Sequence, residues 1–336
     1  MQSTDLPPHL LRDLITQLPI RGHELLHAIH DPEEKAASLL ITGARGLELA
    51  TESHLVFCRN GDESLVRLLL QCRSFAIVTA QEVFARLPNE FVRRRVFLLT
   101  SQPRLLLALL LAPFDRPSSF AGQCDAVHPA AQIADGVTIA RGVMIGPHVT
   151  IEAGCAIGPN TVVDHAKIGA GTRIGPNCTI GGDGFGFEMD EQTGVVVRFP
   201  HFGSVQIGER VEIAANVTVD RGSLRDTVIE DEVKIDNLAY IAHNCHIKHG
   251  ALIMANATLL GSVVVGPFGW IAPSTTILNR LTVGRCGMTG AGSVVIDPVA
   301  SNEVVVGVPA RRLRSRFSVD SPLLKDDVTV DRSNSK

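Results

Sequence analysis

The sequence predicts a left-handed parallel β-helix of hexapeptide repeats, preceded by a small α/β domain. The first observation is a period of six. Ile229, Ile235, Ile241, Ile247, Ile253, Leu259, Val265, Ile271, Ile277 and Val283 succeed one another at that spacing. An earlier run reads Ile133, Ile139, Ile145, Ile151, Ile157 and, after a one-residue slip, Val162, Ile168, Ile174, Ile180. Ile207, Ile213 and Val219 form a third. The second observation is a set of turn residues directly after the aliphatic position: Gly-Pro-His after Ile145 and Gly-Pro-Asn after Ile157 and Ile174. The third is composition, with 45% hydrophobic but only 4% aromatic residues, as a narrow core of Ile and Val requires.

A six-residue period fits neither an α-helix nor a flat two-sided strand, and is the mark of a hexapeptide solenoid. Each hexad is a short strand and a turn. Three hexads close a triangular coil, and coils stack about 4.8 Å apart. The aliphatic residue points inward onto its equivalents above and below. Glycine and asparagine occupy corners, where the backbone must be permissive. One coil cannot bury its own aliphatic face, so many must stack.

Residues 1–115 lack this period and read as the α/β domain. Leu18 to His30 and Ser64 to Gln71 read as helical; Ser53 to Cys58, Ser74 to Thr79 and Arg95 to Leu99 as strands. Pro103 to Leu111 reads as a helix with proline in its first turn. Residues 116–126 form the linker, 127–306 the β-helix, and 307–336 a basic, then polar tail. Two insertions interrupt the repeats: a glycine-rich stretch from Gly181 to Phe187 with a polar turn at Asp190 to Gly194, and Asp220 to Leu224. Solenoid insertions project from one face and often carry binding. The glycine cluster does not open a helix after a strand, so a phosphate loop is a weak reading.

The 336 residues carry a net charge of −4, which offers no overall basic field for nucleic acid. The apolar run Leu105 to Pro113 is about half the length needed to span a bilayer. The first twenty residues lack a signal-peptide pattern. Seven scattered cysteines with no CxxC pair point to reduced thiols in the cytoplasm.

The densest polar stretch runs from Asp236 to His249. The period places His243 outside the prism near a corner, where a neighbouring subunit could cover it. A neutral imidazole there accepts a proton near pH 7, and a carboxylate such as Asp236 would fix its tautomer. The alternative is a plain surface histidine. His243 and His249, with His246, could also be drafted as zinc ligands between subunits, but their spacing is not diagnostic, and no metal is expected.

Several stretches occur in order: Asp183-Gly-Phe-Gly-Phe, Phe199-Pro-His-Phe-Gly, Ile207-Gly-Glu-Arg-Val-Glu-Ile, Thr218-Val-Asp-Arg-Gly-Ser-Leu, Asp226-Thr-Val-Ile, Lys234-Ile-Asp-Asn and Ile241-Ala-His-Asn. With Val56-Phe-Cys-Arg-Asn and Phe75-Ala-Ile-Val-Thr, they make residues 50 to 300 resemble the UDP-3-O-acylglucosamine N-acyltransferases of lipid A synthesis. The resemblance implies a homotrimer with active sites between subunits. The donor would be a 3-hydroxyacyl group on the phosphopantetheine of acyl carrier protein, with no permanently bound cofactor. The acceptor would be the 2-amine of a UDP-linked, 3-O-acylated glucosamine. His243 matches the family's general base, Asp236 its partner, and Gly261 the glycine whose N–H receives the oxyanion. Phe57 and Asn60 match residues that stack on and hydrogen-bond uracil. Asn244 and the loop carrying Gly184, Phe185 and Phe187 match acceptor contacts.

The chain departs from that pattern in four places. Arg280 replaces a second histidine; it can bind phosphate or carboxylate but cannot act as a base near pH 7. Glu63 replaces a tyrosine expected on uracil. Ala291 and Ser293 replace methionines that cap the acyl groove, which would admit a longer chain. C-terminal helices that hold acyl carrier protein are not evident after Arg316, and the basic cluster Arg311 to Arg316 could meet the carrier's acidic surface instead. Two other readings stay open: N-acylation of a different nucleotide-linked amino sugar, including from acetyl-CoA, and a non-acyltransferase solenoid, either a zinc hydratase or a silent sugar-nucleotide binder.

Overall fold

In a computed structural model of the chain, residues 8–59, 61–112, 120, 126–317 and 321–324 are described. Most of the expected linker, and residues 318–320 and 325–336 of the tail, lie outside them. Two units emerge. One holds the described residues up to 112 together with Phe185–Gly203 and Ser223–Arg225; the other holds residues 126–184, Ser204–Gly222 and the chain from Asp226 on.

The second unit is a left-handed parallel β-helix with three faces. The first face stacks eight strands from Gln132–Ile133 to Thr282–Val283. The second stacks ten, from Thr138–Ile139 to Glu303–Val306 and Arg311–Ser315. The third stacks eight, from Met144–Ile145 to Val294–Val295. Most strands are only two or three residues long; the two-residue strands mostly turn one side chain inward and several three-residue strands turn two. Ile229, Ile241, Ile253, Leu259, Val265 and Ile277 are all buried in one continuous aliphatic core.

The register slip falls one hexad later than the period suggests. Met144 pairs with Val162 and Ile145 with Val163, and it is Val163 that is buried. The shortened corner lies between Val163 and Ile168. Adjacent valines are equivalent in chemistry, so sequence alone could not decide which one points inward. The residues from 307 are also not wholly a tail: Arg311–Ser315 pairs antiparallel with Glu303–Val306 and extends the second face.

The first unit is built on a five-stranded sheet. Its order is Ala28–His30, Val96–Leu99, Ala76–Thr79, His54–Cys58, Gly43–Ala44, with the first pair antiparallel and the rest parallel. The helix expected from Leu18 to His30 is cut short: Ile20–Leu25 is helical, and Ala28–His30 becomes the edge strand. Helix Glu63–Gln71 starts where Asp62 caps it by accepting the Ser64 N–H. Helix Pro103–Leu111 buries Leu106, Leu107 and Leu110 in the sheet's core. Phe199, Phe202 and Leu224, all from the insertions, join that same core. Phe185–Gly203 and Ser223–Arg225 are thus built into the α/β unit, while residues 181–184 and 220–222 stay with the β-helix.

Candidate active site

His243 comes just after the strand Tyr240–Ile241, at the corner between the third and first faces. Asn244 comes next with φ 62°, and Ser262 and Arg280 repeat that left-handed turn one and two coils on, with φ 65° and 63°. Asparagine tolerates this conformation; serine and arginine adopt it at some cost. The Asn244 N–H donates to the Thr227 hydroxyl at 2.8 Å. The coils are tied at this corner by Ser262 N–H to His243 C=O, 2.9 Å, and Arg280 N–H to Gly261 C=O, 3.0 Å.

Gly261 occupies the place of His243 in the next coil. A Cβ there would lie 2.8 Å from both Cε1 and Nε2 of the imidazole. Only glycine lets the ring rest against the backbone. Among the described residues, none accepts a hydrogen bond from the Gly261 N–H. A proton acceptor and an unused backbone donor therefore share one corner. That is the pairing acyl transfer needs.

Asp236 stands elsewhere. It comes after Lys234–Ile235 at the corner between the second and third faces, across the third face from His243 in the same coil. Its Oδ1 accepts from the Asn237 N–H and side-chain amide, at 2.7 and 2.6 Å. Arg280 is exposed on the His243 corner. Ala291 is exposed, but Ser293 is fully buried and its Oγ accepts the Gly307 N–H at 3.1 Å. Ser293 thus lies inside the prism and does not line an outer groove, a correction to its expected place; it continues the buried column of Ala239, Ala257 and Thr275, one coil apart each. His246 pairs with Glu230 at 2.6 Å, and Glu230 also accepts the His249 N–H at 2.9 Å. Contact with His246 holds the Glu230 carboxyl below its usual range. Among the described residues, no group of three His, Cys, Asp or Glu side chains is placed to hold a metal ion.

Within the α/β unit, Phe57 lies half-buried on His54–Cys58, and Asn60 lies outside the described residues. Phe185 is 80% exposed and its ring lies 4.9 Å from that of Phe187. The Arg198 guanidinium sits 4.9 Å over Phe187. This aromatic pair leads into a hairpin, Phe187–Met189 against Val196–Arg198. Asp190 anchors its turn: Arg21 donates to it through Nε and, at 2.7 Å, through Nη2, and the Thr193 hydroxyl donates at 2.9 Å. Arg21 holds the Asp190 carboxyl well below the ordinary range. Gly184, in the other unit, is buried just before the pair. Sequence spacing gives no hint of this anchor, because 169 residues separate its members.

Of the basic cluster, Arg311, Arg312 and Arg314 are exposed on the last strand. Arg316 instead turns inward, stacking on Trp270 at 5.2 Å and donating to Phe268 C=O at 2.7 Å.

The chain matches the family described as bacterial transferase hexapeptide (six repeats) at residues 148–182 and 226–261. A UDP-3-O-acylglucosamine N-acyltransferase of Cupriavidus pinatubonensis is 33% identical over 257 residues, covering 68% of this chain and 70% of that protein. This chain belongs to the UDP-3-O-acylglucosamine N-acyltransferase family. The Janthinobacterium family member is 36% identical over 157 residues, 47% of this chain. A Coxiella burnetii member is 34% identical over 226 residues, 60% of this chain. The chain spans only 41% and 63% of those two relatives. The solved UDP-N-acetylglucosamine acyltransferase LpxA of Bacteroides fragilis shares the fold, with a TM-score of 0.50 at 20% identity over 56% of this chain and 72% of its own. Among the described residues, no helix is long and apolar enough to cross a membrane.

Proposed function

We propose that the protein is an N-acyltransferase of lipid A synthesis. It moves a 3-hydroxyacyl group from acyl carrier protein to the 2-amine of a UDP-3-O-acylglucosamine. The observation that carries this reading is the His243 imidazole resting against Gly261, whose N–H is unused among the described residues. His243 takes the proton as the amine attacks the thioester carbonyl. The Gly261 N–H stabilises the tetrahedral oxyanion. The C–S bond then breaks, the amide forms, and the proton on the imidazole returns to the departing phosphopantetheine thiolate. The thioester is a substrate, and no resident cofactor enters the scheme.

Phe57, Asn60, Asn244, Gly184, Phe185 and Phe187 are the proposed acceptor contacts, and Arg280 would meet an anionic part of a substrate. Ala291, smaller than methionine and exposed, remains the proposed lining of the acyl groove. We assign the working form to a cytoplasmic homotrimer. Asp236 stands one corner away from His243 in its own chain, so it would serve a His243 of a neighbouring copy. The exposed Arg311, Arg312 and Arg314 would meet the acidic carrier.

The test is a substrate panel. Wild-type protein is given 3-hydroxyacyl carrier protein or the matching coenzyme A thioester, with UDP-3-O-acylglucosamine or another UDP-amino sugar, and products are read by mass spectrometry. A single new amide on the glucosamine nitrogen, formed from the carrier thioester, is expected. Transfer only to a different amino sugar would move the reading to that acceptor, with Arg280 as the residue behind it.

A further inference from the structure

One buried acid close to the His243 corner has no part in that acyl-transfer scheme. Asp220 ends the strand Thr218–Asp220 on the third face, one coil before Tyr240–Ile241. It is 5% exposed. Tyr240, the chain's single tyrosine, donates its hydroxyl to Asp220 Oδ2 at 2.6 Å. Thr218 pairs with Tyr240 and Val219 with Ile241. One and two steps further along that register bring Asp220 opposite Ala242 and Arg221 opposite His243, on coils about 4.8 Å apart.

We propose that Asp220, held in place by the Tyr240 hydroxyl, is a positioning residue that stabilises the protonated His243 formed during transfer. The role rests on the acyl-transfer reading. It gives each chain a carboxylate close to its own base, whereas Asp236 stands across the third face. The charge balance is simple: His243 gains a proton and becomes cationic, while Asp220 keeps its negative charge and takes no proton.

The surroundings make the tyrosine necessary. Burial pushes the Asp220 carboxyl up to about 6, the Tyr240 hydrogen bond opposes that rise, and Asp183 adds to it. Without the phenol, Asp220 would be neutral over more of the physiological range. Burial and Asp220 together push the phenol's own ionisation upward, so Tyr240 remains a donor. Arg221 follows Asp220 in the chain and lies 3.8 Å from Asp183, and Arg280 stands two coils on at the same corner. Cations at this corner would disfavour an imidazolium, and in the proposal Asp220 offsets them. His246 lies on the adjoining face and is engaged by Glu230.

The test is a titration of His243 by NMR of imidazole-labelled full-length protein without substrate, beside pH–rate profiles. Asp220→Asn is expected to lower the His243 pKa by about one unit, the order of effect of one charge a strand away. In the rate profile the plateau should fall several-fold and the acid limb should move to lower pH. Loss of packing alone would lower the plateau without moving the limb. Tyr240→Phe, which removes one hydroxyl outside the aliphatic core, should give a smaller shift of the same sign and guards against misfolding of the asparagine variant. An unchanged His243 pKa in both variants, or in the folded one alone, overturns the proposal. The titration needs no substrate. A shift without any acyl transfer would sink the acyl-transfer reading and leave the pairing, while transfer without a shift would do the reverse.

Discussion

The prism and the α/β unit bury apolar surface in different ways. In the prism most strands bury an interchangeable aliphatic side chain, and His243 and Gly261, the residues proposed for transfer, sit at a corner that the core does not need. In the α/β unit, long-range contacts set the fold, and the residues that display Phe185 and Phe187 are themselves anchored by it through Asp190, Phe199 and Phe202. A corner of the prism can therefore lose its function and keep its fold. The aromatic loop should not separate the two so cleanly.

The sharpest break of this comparison is Ile241→Asp. Ile241 is fully buried beside the His243 corner. An unpaired carboxylate among stacked aliphatics should cost roughly 4 kcal/mol or more and unfold the prism. A normal melting curve would refute the inward register.

Gly261→Ala comes next. The new methyl would push the imidazole away, and turnover should fall on the order of 10- to 100-fold through kcat, the range of a weakened base or oxyanion donor. Melting should stay near wild type. A change in KM alone would point to a binding role for this corner.

Arg21→Ala tests the other region. With Asp190 deprived of its cation, amide exchange across Phe187–Arg198 should quicken while exchange in the prism strands stays unchanged. The pH dependence has a definite sign. The folded-state pKa of Asp190 is depressed, so its stabilisation is present above the usual aspartate range and is lost only as pH falls through the lower folded value. Hairpin protection in wild type should therefore hold from pH 8 down to 5. Loss of protection between pH 7 and 5 would contradict the ion pair.

The smallest effect is expected from Arg311→Glu with Arg312→Glu. Both side chains are well exposed and their ion pairs are long, 3.6 Å each. Melting should hardly move, since such pairs contribute little. KM for the acylated carrier should rise a few-fold, and an unchanged KM would free this strand from any part in carrier docking.

The same contrast explains how much was legible in the sequence. Period six located the core residue of nearly every hexad, because a one-residue error would turn a strand inside out. It failed at Val162 and Val163, where either neighbour satisfies the pattern. His243 lies in the Ile241-Ala-His-Asn stretch, and Gly261 follows it by 18 residues, one coil of the stack. The Asp190–Arg21 anchor has no such regular spacing, and Ala28–His30 is strand only because Val96–Leu99 pairs with it. Ser293 follows Ala239, Ala257 and Thr275 at 18-residue steps, so its inward place is legible from the coil period, and only the family resemblance points it outward. Asp220 lies in plain view within the Thr218 to Leu224 motif, but its burial and its tie to Tyr240 are tertiary facts.

The most direct test of the central claim compares kcat/KM for acyl transfer in wild type and His243→Ala, with melting temperature and oligomeric state measured on the same samples. The account predicts at least about a 100-fold loss of transfer, the lower range for a removed general base, with melting and assembly unchanged. A His243→Ala protein that transfers acyl groups at the wild-type rate would contradict it.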